Sequence, residues 1–110
     1  MRVWDLTGLE VDDGQPEVLH STPQGRAIAI HLAAGSELGE HEVHEGAWLV
    51  VAAGRVRLGA RDGGEEVAGP GALAAFEPGE RHAVTALEDA RLLLLLTPWP
   101  APDRRMSGTG

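Results

Sequence analysis

The apolar segments of this chain are short, and glycine or proline interrupts them about every ten residues. The clearest segments lie at residues 26–32, 47–52, 55–60, 72–76, 82–87 and 90–97. Segments of this length, rich in β-branched residues and bounded by turn residues, are typical of β-strands, whereas helices need longer periodic stretches. The sequence therefore predicts an all-β chain of about eight or nine short strands, with no major helix.

Residues 55–66 have the pattern of a β-hairpin. Val56 and Leu58 alternate with Arg55 and Arg57, which places apolar and charged side chains on opposite faces of a strand. The Asp-Gly-Gly sequence that follows tolerates the positive φ angles of a tight hairpin turn. Antiparallel strands joined in this way form a sandwich or a barrel.

Two of the apolar segments, "WLVV" at 48–51 and the leucine run at 92–96, are apolar on both faces of the predicted strand. One face fills the interior of the barrel, and the other needs a cover. That cover is either the N-terminal segment "RVWDL" or a second subunit, and we expect a homodimer. Because side chains alternate along a strand, Trp48 points outward if Ala47 points inward.

The length of 110 residues suits one domain, which we assign to residues 1–97. Residues 98–110 are rich in proline, glycine and charge. Such a segment buries too little apolar surface to offset its ordering entropy, so we expect a disordered C-terminal tail.

Charge and cysteine content exclude several function classes. The formal net charge is −8 and the sequence pI is about 4.9, and an acidic surface repels the phosphates of nucleic acids. The chain has no cysteine, which excludes disulfides and thiolate metal sites. The N-terminus lacks the apolar core of a signal peptide, and the leucine run is too short to cross a bilayer. We therefore expect a cytoplasmic protein that binds neither nucleic acid nor membrane.

Two stretches combine glycine with histidine at defined spacings. In the first, five residues separate Gly35 from His41, and Gly54 follows nineteen positions after Gly35. In the second, His82 lies eleven positions after Gly71. The first stretch also contains acids on both sides of its histidines.

These stretches resemble the two motifs of the cupin family, which are small antiparallel barrels with a double-stranded β-helix, or jelly-roll, fold. The first family motif contains Gly, His-x-His, Glu and Gly in that order, and the second contains Gly, Pro-x-Gly, His and Asn. The resemblance covers residues 25–97. Each motif occurs once, which implies a barrel of the single-domain, cupin-2-like kind.

The family binds one metal ion inside the barrel through the two histidines and the glutamate of the first motif and the histidine of the second. His41 matches the first of these positions and His82 the last. Val43 stands where the second histidine belongs, and Ala47 stands where the glutamate belongs. The resemblance therefore implies a cupin barrel whose usual metal site is incomplete.

Neighbouring residues supply candidates for the missing ligands. His44 lies one position beyond the lost histidine, on the opposite face of a regular strand from positions 41 and 43. A bulge or a turn at Glu45 would swing His44 inward. We expect His41, His44 and His82 to hold a divalent transition metal (Fe, Mn, Ni, Zn or Cu), with Glu45 as a compensating ligand.

His20 and His31 are further candidates whose orientation the sequence leaves open. His31 alternates with Ala29 and opposes Ile30. It faces away from the core if the isoleucines pack there, and it faces inward if the small residues line a cavity.

The resemblance implies two functions from different classes. One is a metal-dependent enzyme, an oxygenase or isomerase that acts on a small molecule at open metal positions. The other is a metal-free, non-catalytic binding or regulatory cupin, whose inward histidines are satisfied by hydrogen bonds. No residue is assigned a catalytic role, and no organic cofactor is expected.

Overall fold

The computed structural model describes residues 1–41, 44–60 and 64–100, and the side chains of 39–41 and 60 are not among those described. Within these ranges the secondary structure consists of nine strands, without a helix, and none of it meets the length and hydropathy that a membrane-spanning helix requires. The strands are β1 Glu17–Thr22, β2 Gly25–Leu32, β3 Glu37–His41, β4 Gly46–Ala53, β5 Val56–Ala60, β6 Glu65–Ala68, β7 Leu73–Phe76, β8 His82–Ala86 and β9 Ala90–Thr97. The prediction of an all-β chain of eight or nine strands is confirmed.

The strands form two antiparallel sheets that face each other. One sheet has the order β1-β2-β9-β4-β7, and the other has the order β3-β8-β5-β6. Successive strands repeatedly change sheet, for example from β2 to β3 and from β3 to β4. This arrangement is the jelly-roll barrel that the sequence predicted.

The interior is filled by the inward-facing residues of both sheets. Alternation along each strand selects them, since every second side chain of a strand points to the same face. The strands of the predicted hairpin are confirmed, because β5 pairs with β6 in antiparallel fashion, Val56 and Leu58 are buried and Arg57 is exposed. Residues 61–63 of its predicted turn lie outside the described part of the chain. The buried core cluster consists of Ile30, Leu32, Leu49, Val51, Val56, Leu58, Val84, Ala86, Ala90 and Leu92.

The outer face of the five-stranded sheet is apolar as well. Leu93 is paired with Ala29 on one side and Val50 on the other, and Leu95 is paired with Trp48. Trp48 is 44% exposed, whereas its neighbour Ala47 is 1% exposed. The expectation that these two residues face opposite ways is therefore met, and the sheet does present apolar side chains on both faces.

Residues near both chain ends pack beside the strands. In the N-terminal segment, Val11 is buried and Asp13 forms a parallel bridge with His31 of β2. Near the C-terminal end, the Arg26 guanidinium lies 4.0 Å from the centre of the Trp99 ring. Trp99, the second residue of the predicted tail, thus contacts β2. Residues 101–110 lie outside the described part of the chain.

Gly54 sits at the β4–β5 turn, where this turn approaches the one between β8 and β9. Its φ is +78°, in the left-handed region that glycine adopts without strain. A Cβ atom at this position would lie 2.1 Å from the backbone oxygen of Asp89 and 2.8 Å from the Cα atom of Ala90. Only glycine therefore satisfies both the turn conformation and the close approach of the two backbones.

Gly54→Ala is expected to lower the free energy of unfolding by at least about 3 kcal/mol, because it combines backbone strain with a clash against backbone atoms. Urea denaturation of the purified variant measures this value. Gly35→Ala is the matched control, since Gly35 also has a positive φ (+87°) but no atom within 4 Å of the added Cβ. Gly35→Ala should lower the free energy of unfolding by only about 1–2 kcal/mol, because it adds backbone strain without a clash. Equal losses in the two variants would contradict the steric argument.

Candidate metal and ligand site

His82 is a buried histidine at the start of β8, with 3% of its surface exposed. Strand β8 lies between β3 and β5, and its register makes His82 the cross-strand partner of both His41 and Ala60. The two motif histidines, far apart in sequence, are therefore direct neighbours in the backbone register of one sheet. The side chain of His41 lies outside the described part of the structure.

Contacts with Phe76 and Glu80 help to orient the His82 ring. The ring stacks on Phe76 with a centroid distance of 4.1 Å and an interplanar angle of 14°. Its Nδ1 atom lies 3.2 Å from the backbone oxygen of Glu80. Because a carbonyl oxygen only accepts hydrogen bonds, Nδ1 carries the proton, and in the neutral ring Nε2 carries the lone pair. This is the usual state of a metal-ligating imidazole, whose other nitrogen donates to a backbone carbonyl.

Glu45 is the second buried polar residue of the interior, with 0% of its surface exposed. It immediately precedes β4, and it is in phase with the inward-facing residues Ala47, Leu49 and Val51 of that strand. Carboxyl groups are rarely fully buried unless they have a partner, because their desolvation is costly. The turn before β4 therefore brings a carboxyl group into the same interior that receives His82.

His44 is placed differently, since the structure leaves this residue exposed. His44 is exposed and the next residue, Glu45, is buried, as the regular alternation of a strand requires. The bulge or turn that would have directed His44 into the barrel is therefore not seen at this position. Ala47, at the family glutamate position, is buried but offers no donor atom. Val43 lies outside the described residues.

His20 and His31 lie away from this interior. Ile28, Ile30 and Leu32 belong to or pack against the core, so His31 faces the outer side of the sheet. There its ring nitrogens contact the Val11 carbonyl oxygen and the Asp89 carboxylate. The ring of His20 packs 6.1 Å from that of Trp4.

The described side chains supply only part of the ligand set that a metal ion needs. They contribute Glu45 and His82 to the interior, and they contain no group of three or more His, Cys, Asp or Glu that could hold a metal ion. A third ligand would have to come from His41, which the register places beside His82.

A cavity of about 530 Å³ opens between β6 and β7, the edge strands of the two sheets. Its inner wall includes Leu49, Val51 and Leu58, and Phe76 lines it at the end nearest His82. The remaining lining residues are Gly59, Glu66, Val67, Ala68, Gly69, Ala72, Leu73, Ala74 and Ala75. Most of this lining is apolar, and Glu66 is the one charged residue that the described part of the chain contributes to it.

Phe76 and this cavity were not anticipated from the sequence. Two signals were nevertheless present: Phe76 is the single phenylalanine of the chain, and it ends a segment, "GALAAF", in which every other residue except Leu73 is glycine or alanine. The alanines leave space between the edge strands, and the phenylalanine separates that space from His82.

Comparison with known families decides the assignment of the chain. The family model for the cupin domain matches residues 29–98, which is more than half of the sequence. The chain belongs to the cupin domain family. The resemblance inferred from the two glycine-histidine stretches is thereby confirmed, whereas a search of curated proteins found no match.

Several solved structures superpose on nearly the whole chain. An RmlC-like cupin protein from Desulfovibrio desulfuricans is 21% identical, covers 89% of this chain and 97% of its own, and gives a TM-score of 0.81. A conserved protein with a double-stranded β-helix domain from Klebsiella pneumoniae is 20% identical, with coverages of 92% and 93% and a TM-score of 0.80. KdgF from Halomonas sp. is 21% identical, with coverages of 88% and 90% and a TM-score of 0.71. At these identities the likeness shows the cupin fold alone.

Proposed function

We propose that this cupin binds one divalent transition metal ion through His41, Glu45 and His82 and acts on a small molecule in the cytoplasm. The observation that carries the proposal is the burial of two ionisable side chains, Glu45 and His82, among core residues that are otherwise apolar in the described part of the chain. Buried ionisable groups are costly to maintain and often mark functional sites. His41 joins them because it is the cross-strand partner of His82.

Glu45 takes the role of the carboxylate that the family carries at the position of Ala47. Glu45 lies two residues before Ala47 and directly precedes β4, and both side chains are buried in phase with the interior. A site with two histidines and one carboxylate, leaving open positions, is typical of non-haem iron oxygenases, and it also suits zinc or manganese. The exposed His44 falls outside this proposed set.

The protein's own residues would orient and shield the metal. The Glu80 carbonyl and the Phe76 ring hold the His82 imidazole with Nε2 carrying the lone pair. The apolar inner wall, including Leu49 and Val51, limits the access of water. The bound ion would supply Lewis-acid or redox chemistry to a small oxygenated substrate, as an oxygenase or isomerase does.

A metal-free binding protein is the second candidate, and the cavity between β6 and β7 is the observation that favours it. Its volume of about 530 Å³ lies within the range of small-molecule sites. The lining is mainly apolar, and its charged contribution from the described residues is Glu66. Such a site would prefer a neutral or cationic apolar ligand over an anionic one.

A second copy of the chain is the partner we propose for the outer face of the five-stranded sheet. Each chain has a formal net charge of −8, so two copies repel unless they meet through an uncharged surface. The outer face offers one, since Trp48, Val50, Leu93 and Leu95 carry no charge and Trp48 is 44% exposed. A two-fold interface requires such a self-complementary patch.

Reconstitution with Fe(II), Mn(II), Ni(II), Zn(II) or Cu(II) should load about one metal ion per chain for at least one of these metals. His41→Ala, His82→Ala and Glu45→Gln should each weaken binding by roughly tenfold or more, because each removes a proposed ligand. Elemental analysis and competition with a chelator measure occupancy and affinity.

His44→Ala is the matched control for these ligand variants, because His44 is a neighbouring but exposed histidine. It should retain the affinity of the unmodified protein. The proposed metal site is wrong if the unmodified protein holds less than about a tenth of an equivalent of every metal, or if His44→Ala loses as much affinity as His82→Ala.

A neutral apolar dye such as Nile red should bind in the cavity between β6 and β7 with or without EDTA, giving a rise in fluorescence. Ala74→Phe should abolish binding by filling the space, because Ala74 lines the cavity. The anionic dye ANS should bind with lower affinity than Nile red, because the Glu66 carboxylate repels it. Glu66→Gln should therefore reduce the difference in affinity between the two dyes. Binding that survives Ala74→Phe would contradict a ligand site in this cavity.

Trp48→Glu should convert a dimer into a monomer, because it buries a charge in the proposed interface. Light scattering coupled to size-exclusion chromatography at micromolar concentration measures the mass. Val67→Glu makes the same change at a 51% exposed residue of the other sheet, and it should leave the dimer intact. A monomeric unmodified protein would overturn this interface.

A further inference from the structure

The imidazole of His31 lies between two hydrogen-bond acceptors. Its Nδ1 atom is 3.0 Å from the backbone oxygen of Val11, and its Nε2 atom is 2.8 Å from Oδ1 of Asp89. A carbonyl oxygen and a carboxylate oxygen both accept hydrogen bonds and donate none. Both contacts are hydrogen bonds only when each ring nitrogen carries a proton, as in an imidazolium ring.

Loss of one proton necessarily breaks one of these two bonds. With the remaining proton on Nδ1, the Nε2 lone pair would face the Asp89 carboxylate. With the proton on Nε2, the Nδ1 lone pair would face the carbonyl oxygen of Val11. Either tautomer of the neutral ring therefore places two lone pairs against each other, and the contact becomes repulsive.

The bonds of His31 hold the N-terminal segment, residues 9–13, against the outer face of the five-stranded sheet. Val11, whose carbonyl accepts from the ring, is 8% exposed, and Ala29 on the same sheet face is 4% exposed. The Gly14 N–H donates to the His31 carbonyl over 2.9 Å. The Ala33 N–H donates to the Asp13 carboxylate over 2.7 Å.

The other charged groups around His31 come from each element that packs against it. The turn before β9 contributes Asp89, whose side chain is 63% exposed while that of His31 is 18% exposed. Strand β9 contributes Arg91, the cross-strand partner of His31, whose guanidinium binds the Leu9 carbonyl. The N-terminal segment contributes Asp13, whose carboxylate accepts from Ala33 and Ser36. Asp89 is therefore the acid that contacts the ring directly.

We propose that His31 is a pH-sensitive clasp that holds residues 9–13 on the sheet when protonated and loosens them when neutral. Imidazole side chains change charge between about pH 5 and pH 8, whereas carboxylates and guanidinium groups keep theirs throughout that range. Because the protonated ring makes both bonds, the clasp is strongest at low pH and weakens as the pH rises. Release of the segment would uncover apolar surface on the outer face of the sheet.

Residue-resolved amide exchange by NMR tests the clasp on the full chain. Protection factors, which correct for the intrinsic pH dependence of exchange, should fall for the Gly14 and Ala33 amides by roughly fivefold to tenfold between about pH 5.5 and about pH 8.5. The Gly71 amide is the internal reference, since it donates to the Val51 carbonyl in the loop between β6 and β7, outside the clasp. Its protection should not change.

Asp89→Asn supplies the decisive variant. An asparagine amide donates an N–H to the Nε2 lone pair, so a neutral His31 with its proton on Nδ1 then makes both bonds. The protection factors of the Gly14 and Ala33 amides should therefore remain high in this variant and should no longer change with pH.

Glu88→Gln is the control for Asp89→Asn, because Glu88 precedes Asp89 but lies beside Arg55, at 3.8 Å, rather than beside His31. It should behave like the unmodified protein. The clasp is overturned if protection at Gly14 and Ala33 does not depend on pH in the unmodified protein, or if Asp89→Asn retains the dependence.

Discussion

The pairing of β9 with β2 on one side and β4 on the other is the constraint on which the rest of the structure depends. Its register sets the leucine run so that Leu92 packs in the core while Leu93 lies on the outer face beside Val50. A slip of β9 by one residue would exchange its two faces relative to both neighbouring strands. The same register sets the phase of β4, which decides that Ala47 lies inside and Trp48 outside.

The candidate site follows from this phase and from the burial of polar groups in an apolar barrel. Glu45 lies just before β4 and faces inward like every second residue of that strand. His82 is buried on a strand of the opposite sheet. Such groups are stable in an interior only with partners, and for this reason we propose that the metal site lies at this end of the barrel. Phe76 links the two candidate functions, because it stacks on His82 and also lines the adjoining cavity.

Much of the fold could be predicted from sequence because the relevant signals are local. Strand length, the alternation at residues 55–60 and the turn residues predicted an all-β antiparallel chain, and the spacing of Gly35, His41, Gly71 and His82 indicated the family. The burial of Glu45 and the exposure of His44 could not be decided in this way. They depend on whether the alternation of inward and outward side chains in β4 continues into the turn before it. An extra residue in that turn would place His44 inside the barrel and Glu45 outside.

The sequence by itself determined the architecture and the pair of motif histidines, because periodicity and glycine spacing are written along the chain. Tertiary structure alone decided which way His31 faces, which acid is buried and where a cavity opens. Those outcomes depend on how residues far apart in sequence are placed, such as His31 beside Asp89 and Phe76 across the cavity from β6. No local pattern encodes them, since each depends on how the two sheets pack together.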